Sequence, residues 1–161
     1  MLDIAMITAA LGAAASAVGL FDKIADQIER FITKRPEPVV PVEHRMRIES
    51  TDEGIVASMH GSPVKTITAA DLQDLPDNQL RHIMTLEKSM EGYYKVWESV
   101  YPQLATIDSL IQKAKVEQQL GNLIQSMKSD LDRILSFLES CGLYLDDHYQ
   151  HIRELVREYE G

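Results

Sequence analysis

Apolar residues recur at helical spacing from Ile4 to Ile32, in alternating steps of three and four. An unbroken heptad pattern of this kind is typical of a helix that packs along one side. We therefore predict one long helix from about Asp3 to Thr33, which Pro36 terminates. Its heptad seam consists mostly of large residues: Ile4, Ile7, Leu11, Ala14, Val18, Phe21, Ala25, Ile28 and Ile32.

A second stripe on the same predicted helix has the same spacing but contains only small residues. Helix backbones can approach each other closely where side chains are this small. The helix can therefore pack against neighbours on two sides. The members of this small-residue stripe are Ala5, Ala9, Gly12, Ser16 and Gly19.

Three arrangements of this helix compete. Residues 4–21 carry no charge, and a run of about 18 residues reaches the lower limit for crossing a bilayer. The bases after the run, from Lys23 to Arg35, would then keep the rest of the chain cytoplasmic. The heptad pattern continues into the charged half of the helix, which instead favours a soluble coiled-coil arm. In the third arrangement the helix folds back and completes a bundle with the rest of the chain.

The pattern changes twice after the helix. Residues 36–43 contain three prolines, which favour an extended spacer that holds the helix away from the rest of the chain. Residues 44–68 then alternate between apolar and polar positions with a period of two, which predicts short strands. Asp52-Glu53-Gly54 and Gly61-Ser62-Pro63 have the composition of turns between them. This segment is therefore predicted to be a small β-meander.

Residues 69–161 return to helical periodicity. A first long helix ends at Pro102, and a second begins near Leu104. The apolar phase of the second helix slips near Lys115, so either a kink or a continuous rod is compatible with the pattern. The chain as a whole is predicted to be mainly α, with four parts: an N-terminal helix (1–35), a Pro-rich spacer (36–43), a small antiparallel β-meander (44–68) and an acidic, antiparallel helical bundle (69–161).

The charge distribution excludes one class of partner. The net charge is −9, and residues 69–161 hold 16 acidic and nine basic side chains. Nucleic-acid binding requires clustered Lys and Arg, so we expect no nucleic acid as a partner.

Cys141 is the single cysteine, which excludes an internal disulfide. It falls on an apolar helix face, so a buried and inert thiol is expected.

The densest group of candidate metal ligands is Asp147, His148 and His151, next to Asp146. Spacings of three and four residues place such side chains on one face of a helix, as a metal site requires. A site in a bundle normally needs a second pair on a facing helix, and the sequence reveals none. We favour the alternative that the acids cap a helix, and we predict no metal and no cofactor.

Aromatic residues form a second candidate site on the first long helix of the bundle. Their helical spacing favours packing in the core, and a groove for a protein partner is the alternative. The residues are Tyr93, Tyr94, Trp97 and Tyr101.

The sequence contains no Walker A, GxGxxG, HExxH or GxSxG motif. We therefore predict a non-enzymatic protein that acts by self-assembly, as a membrane-active effector or a structural subunit with a cytoplasmic body. A soluble adaptor that binds a protein through the bundle is the alternative, and a metal-dependent enzyme using Asp147, His148 and His151 is third. The predicted oligomerisation and membrane residues are Ile4, Ile7, Leu11, Gly12, Ser16, Val18, Gly19, Phe21, Ile28 and Ile32.

Overall fold

The computed structural model describes residues 4–160. It confirms the predicted class: mainly α, with an N-terminal helix, a three-stranded antiparallel sheet and then further helices. The predicted helix start at Asp3 lies outside the described residues. The elements are α1 (Ile4–Thr33), β1 (Arg47–Thr51), β2 (Gly54–Met59), β3 (Ser62–Ile67), α2 (Ala69–Gln73), α3 (Asp77–Val100), α4 (Leu110–Ser140) and α5 (Asp147–Glu158), with short 3-10 turns at Val42–His44 and Tyr101–Ala105.

Helix α1 lies at the centre of the core and packs against the sheet and all the other helices. The structure therefore shows the fold-back arrangement among the three that the sequence allowed. Most of the heptad seam is buried, whereas Ile4 is 77% exposed and Leu11 and Ile32 are half-buried. The buried members of the seam are Ile7, Ala14, Val18, Phe21, Ala25 and Ile28.

The helices of the bundle alternate in direction from α3 to α5. The hydroxyl of Tyr93 on α3 donates to the carbonyl of Ser126 on α4 at 3.2 Å. Arg153 on α5 donates to Glu139 near the end of α4 at 2.7 Å. Helix α1 runs parallel to α3, since Lys23 lies over Tyr94 and Gln27 bonds Trp97 further along both helices. The segment that contains the sheet connects the end of α1 to the start of α3.

The three strands form an antiparallel sheet in the order β1-β2-β3. Its apolar side chains, including Ile55, Ala57 and Ile67, are buried in the common core. The second turn differs from the prediction at Gly61-Ser62-Pro63. The chain reverses at His60–Gly61, where both φ angles are positive (52° and 83°), as a tight hairpin turn requires. Pro63 instead lies within β3, at the edge of the sheet, where proline is tolerated.

Helix α4 begins at Leu110 rather than near Leu104, and it continues through Lys115 without a break. The phase slip has another cause: Leu110 and Ile111 are 83% and 72% exposed, so these apolar residues are not part of the core-facing stripe. The helix ends at Ser140, and Gly142, two residues beyond, has a φ of 89°. Paired hydrogen bonds from Gly142 and Leu143 to the last turn complete this C-terminal cap.

The Pro-rich spacer does not hold α1 away from the bundle, which corrects that expectation. A positive φ of 58° at Lys34 turns the chain directly after α1. The backbone N–H of Val39 then donates to Glu29 Oε2 at 3.0 Å. Arg45, two residues after the spacer, donates to the Val40 carbonyl at 2.9 Å and forms an ion pair with Asp26 at 2.7 Å. The spacer is therefore attached at these points to the C-terminal half of α1.

Candidate functional site

The small-residue stripe forms the outer face of the N-terminal half of α1. Ala9, Gly12 and Ser16 are exposed, Ala5 is exposed beside them, and Gly19 is half-buried. A Cβ placed on Gly12 or Gly19 would meet nothing within 4 Å. The burial of the large seam thus turns the small stripe toward solvent. We refer to Ala5, Ala9, Gly12, Ser16 and Gly19 as the outer face.

Helix α1 is also the one helix among residues 4–160 that is long and apolar enough to cross a membrane. Of its most apolar stretch, 39% is buried inside the protein. A core helix of a soluble protein satisfies the same length and composition criteria. The observation therefore establishes an apolar N-terminal helix with one side available to a partner or a membrane.

A second candidate site lies where α1 faces α5. Asp26, Glu29 and His148 each offer a ligand atom, and these atoms lie within 4.8 Å of one another. Glu29 and His148 are buried, and Asp26 is half-buried. His151, one turn beyond His148, places Nε2 3.7 Å from Glu29 Oε2. We call Asp26, Glu29, His148 and His151 the acid–histidine cluster.

The surroundings of the cluster determine the charge of His148. Burial lowers its pKa below the usual 6.5, and the nearby Arg45 guanidinium lowers it further. The carboxylates of Asp146, Asp26 and Glu29 act in the opposite direction. The net effect favours a neutral imidazole.

Helix α5 is held in position by its N-terminal cap. Asp146 accepts hydrogen bonds from the backbone N–H of Tyr149 at 3.0 Å and of Met46 at 2.6 Å. One carboxylate thus caps α5 and attaches it to the segment before β1. The Tyr149 hydroxyl donates to Asp22 on α1, so the same end of α5 is also bonded to the first helix.

Asp22 gives the fold a pH dependence. The residue is exposed, but its carboxyl lies against the buried Tyr149, and loss of water there raises its pKa from 3.8 to about 6. The folded protein then binds this proton more tightly than the unfolded chain. The contribution of Asp22 to stability is therefore most favourable below about pH 4 and is lost as the pH rises through about 6.

We therefore expect Asp22→Asn to raise the free energy of unfolding at pH 7.5 by about 1 kcal/mol, a value reduced for the exposure of this residue. The asparagine oxygen can still accept from Tyr149, so the variant mimics the protonated acid. Urea denaturation at pH 4 and pH 7.5 measures the effect, which should disappear at pH 4. Asp108→Asn, at an exposed loop position, is the matched control. A gain for Asp22→Asn that is equal at both pH values would contradict the assignment.

The structure separates the residues that the sequence grouped as metal candidates. Asp147 is exposed in the first turn of α5, while His148 and His151 point toward α1. The facing acids, Asp26 and Glu29, were missed by the sequence analysis. Each acid directly follows a residue of the heptad seam, and the two are three positions apart on one helix. This spacing was the available signal in the sequence. Their proximity to α5 depends on the packing and is not visible in the sequence.

The four aromatic residues of α3 and its end contact other parts of the protein. Trp97 is completely buried, and its Nε1 donates to Gln27 of α1 at 2.6 Å. Tyr101 stacks on Trp97 with ring centroids 5.4 Å apart. Tyr93 and Tyr94 are half-buried, and Lys23 lies 5.6 Å above the Tyr94 ring. These contacts join α3 to α1 and α4.

Cys141 lies at the end of α4 and is 4% exposed. Burial raises the pKa of its thiol to about 11. Since the thiolate is the nucleophilic form, a thiol of this kind is poorly reactive at neutral pH.

Comparison with known proteins gives one weak similarity. No family model and no solved structure matches the chain. The chain is 25% identical over 138 residues to the cell division protein FtsQ of Alcanivorax borkumensis. The alignment covers 83% of this chain and 48% of that protein, so the chain spans about half the length of the relative. Most of this chain is thus similar to part of a cell division protein.

Proposed function

We propose that this protein is a non-enzymatic assembly subunit whose outer face on α1 docks against the same face of a second copy. The observation that carries the proposal is the open, uncharged outer face around Gly12 and Ser16. Its opposite side is already committed to the core. An added neighbour can therefore bind without any rearrangement of the chain.

The chemistry of the outer face suits a helix as the partner. With glycine and serine at the contact, two helix backbones can approach closely and gain many van der Waals contacts. No charged side chain occurs between Ile4 and Phe21 to oppose this approach. A second copy presents the same shallow face, so a two-fold contact is self-complementary.

Membrane association is the second part of the proposal. The outer face belongs to the same uncharged stretch that is apolar enough to span a bilayer. The bases that follow this stretch, from Lys23 to Arg35, favour the cytoplasmic side for the bundle, so we place the bundle there and the N-terminal part of α1 at the membrane. The similarity to a protein named for cell division supports that process as the one to examine in cells.

Gly12→Leu should abolish self-association of the full chain while leaving its fold intact. The leucine side chain enters open space in the single copy, and replacing glycine within a helix adds up to about 1 kcal/mol of helix stability. In the assembly it would hold the two backbones apart. Analytical ultracentrifugation gives the mass, and circular dichroism gives the melting temperature.

Two variants serve as controls. Gly12→Ala keeps the face small and should retain the assembly. Gly92→Leu adds the same side chain at an exposed α3 position, also with nothing within 4 Å, and should not change the mass. A wild-type chain that sediments as a monomer at all concentrations would contradict the self-assembly proposal.

The membrane part is tested separately by flotation of the full chain with neutral phosphatidylcholine vesicles. We expect wild type and Gly12→Leu to float equally, because leucine remains apolar. Recovery of both proteins at the bottom of the gradient would overturn membrane association. The self-assembly proposal would not be affected, because the mass from analytical ultracentrifugation tests it separately. Deletion of residues 1–35 is not a suitable control, since α1 supplies much of the core.

A soluble adaptor is the second candidate function, and one observation favours it. The first turns of α4 project from the bundle, with Leu110 and Ile111 exposed. Exposed apolar side chains of this size suit a protein partner. In that case, binding of the partner should be lost in a Leu110→Ser and Ile111→Ser double variant and kept in Gly12→Leu.

A further inference from the structure

The acid–histidine cluster combines ligand types and geometry that suit a metal ion. Asp26 and Glu29 are three residues apart on α1, and His148 faces them from α5. Their ligand atoms lie within 4.8 Å of one another, so small side-chain movements would bring all three to the distance of about 2.0 to 2.2 Å at which a zinc ion binds nitrogen and oxygen. The cluster therefore supplies the ligands on a facing helix that a site in a helical bundle requires.

Four buried atoms of the cluster have no hydrogen-bond partner in the described part of the chain. Asp26 Oδ1 and His151 Nε2 are in ion pairs with Arg45 and Glu29. The other two are Glu29 Oε1 and His148 Nδ1, on residues that are 2% and 4% exposed. Leaving a buried polar atom unpaired is unfavourable, and more so when the group is charged. Buried polar groups without partners are rare in folded proteins. A metal ion bound between Glu29 Oε1 and His148 Nδ1 would give each atom a partner.

The charges around the cluster also favour a cation. Carboxylates of Asp26, Glu29 and Asp146 act on His148, against the single guanidinium of Arg45. Arg45 contacts Asp26 through Nη1 at 2.7 Å and uses Nε to donate to the Val40 carbonyl. Among residues 4–160, the Glu29 carboxylate is contacted by the Val39 backbone N–H and by His151 at 3.7 Å. Arg45 thus contacts one oxygen of Asp26 and leaves its second oxygen and the Glu29 carboxylate for a second cation.

We infer that Asp26, Glu29 and His148 bind a divalent zinc ion. One imidazole nitrogen and two carboxylate oxygens are ligands that Zn²⁺ accepts, whereas Mg²⁺ and Ca²⁺ prefer oxygen ligands alone. His151 lies beside Glu29 and is positioned to orient its carboxylate. A cleft of about 560 Å³, lined in part by His148, Arg45 and Asp22, leads to this region from the surface.

The role of the ion depends on its position. Asp26 and Glu29 belong to the first helix of the chain and His148 to the last. A zinc ion would join the two and strengthen the attachment of α1 to the bundle. This role is independent of self-assembly, because the cluster is at the other half of α1 from the outer face.

Isothermal titration of the full chain with ZnCl₂ at pH 7 tests the site. We expect one ion per chain and a dissociation constant at least about tenfold weaker in Glu29→Gln and in His148→Gln. Glu29→Gln retains an oxygen for the Val39 N–H, which helps to preserve the fold. The matched control is His82→Gln, which removes an exposed histidine outside the cluster and should bind zinc as the wild type does.

A second measurement needs no variant. Nitrogen NMR of the histidine rings during the zinc titration should shift His148, while His44, His60 and His82 stay unchanged at one equivalent. The melting temperature should rise with zinc and fall again with EDTA. Zinc binding that is equally strong in Glu29→Gln, or that leaves the His148 ring unshifted, would overturn the inference.

Discussion

Replacing Trp97 by alanine is expected to lower the free energy of unfolding by about 3 to 5 kcal/mol. Trp97 is completely buried and contacts Phe31 edge-on, with ring centroids 6.2 Å apart. Its Nε1–H also bonds Gln27 of α1. The substitution therefore removes a large part of the contact between α1 and α3, and the cavity cannot close without moving a helix.

Urea denaturation followed by circular dichroism measures this loss. Fluorescence is unsuitable, because Trp97 is the single tryptophan of the chain. Trp97→Phe keeps most of the ring volume and should cost less than the alanine variant. Tyr144→Ala is the control, since Tyr144 is 91% exposed and its removal should change stability by less than about 0.5 kcal/mol. Equal stabilities of Trp97→Ala and Tyr144→Ala would show that α1 is not packed on α3 in solution.

Gly54→Ala is expected to destabilise the protein by about 3 kcal/mol or more. Gly54 begins β2 with a φ of 142°, a conformation that side chains rarely adopt. A Cβ there would stand 2.0 Å from the carbonyl oxygen of Ile67. That oxygen is part of the backbone and cannot move without separating β2 from β3.

A matched variant separates the clash from the backbone preference. Gly61 also has a positive φ, of 83°, but a Cβ on it would meet nothing within 4 Å. Gly61→Ala should therefore cost only about 1 to 2 kcal/mol, for the left-handed conformation alone. Thermal unfolding of both variants measures the difference. If the two losses were the same, the close approach of Gly54 to Ile67 would not be a determinant of stability.

Local patterns were sufficient where neighbouring residues decide the outcome. The heptad seam predicted α1, and the helix ends at Thr33 before Pro36 as expected. The alternation of residues 44–68 predicted strands, and the structure has β1, β2 and β3 in this segment. The pattern failed at the start of α4. Exposed Leu110 and Ile111 there resemble core residues in sequence, but the end of the helix projects beyond its neighbours.

Residue spacing was enough to predict the helices, the sheet and the two differently composed sides of α1, because each of these depends on one element alone. The choice of the buried side of α1 depends on tertiary packing: the large seam enters the core, and Gly12 and Ser16 remain outside. The same packing brings Asp26 and Glu29 to His148 across more than a hundred residues of chain. Whether two distant segments lie close together depends on how whole helices pack. The residues of one segment alone are therefore not enough to predict such a contact.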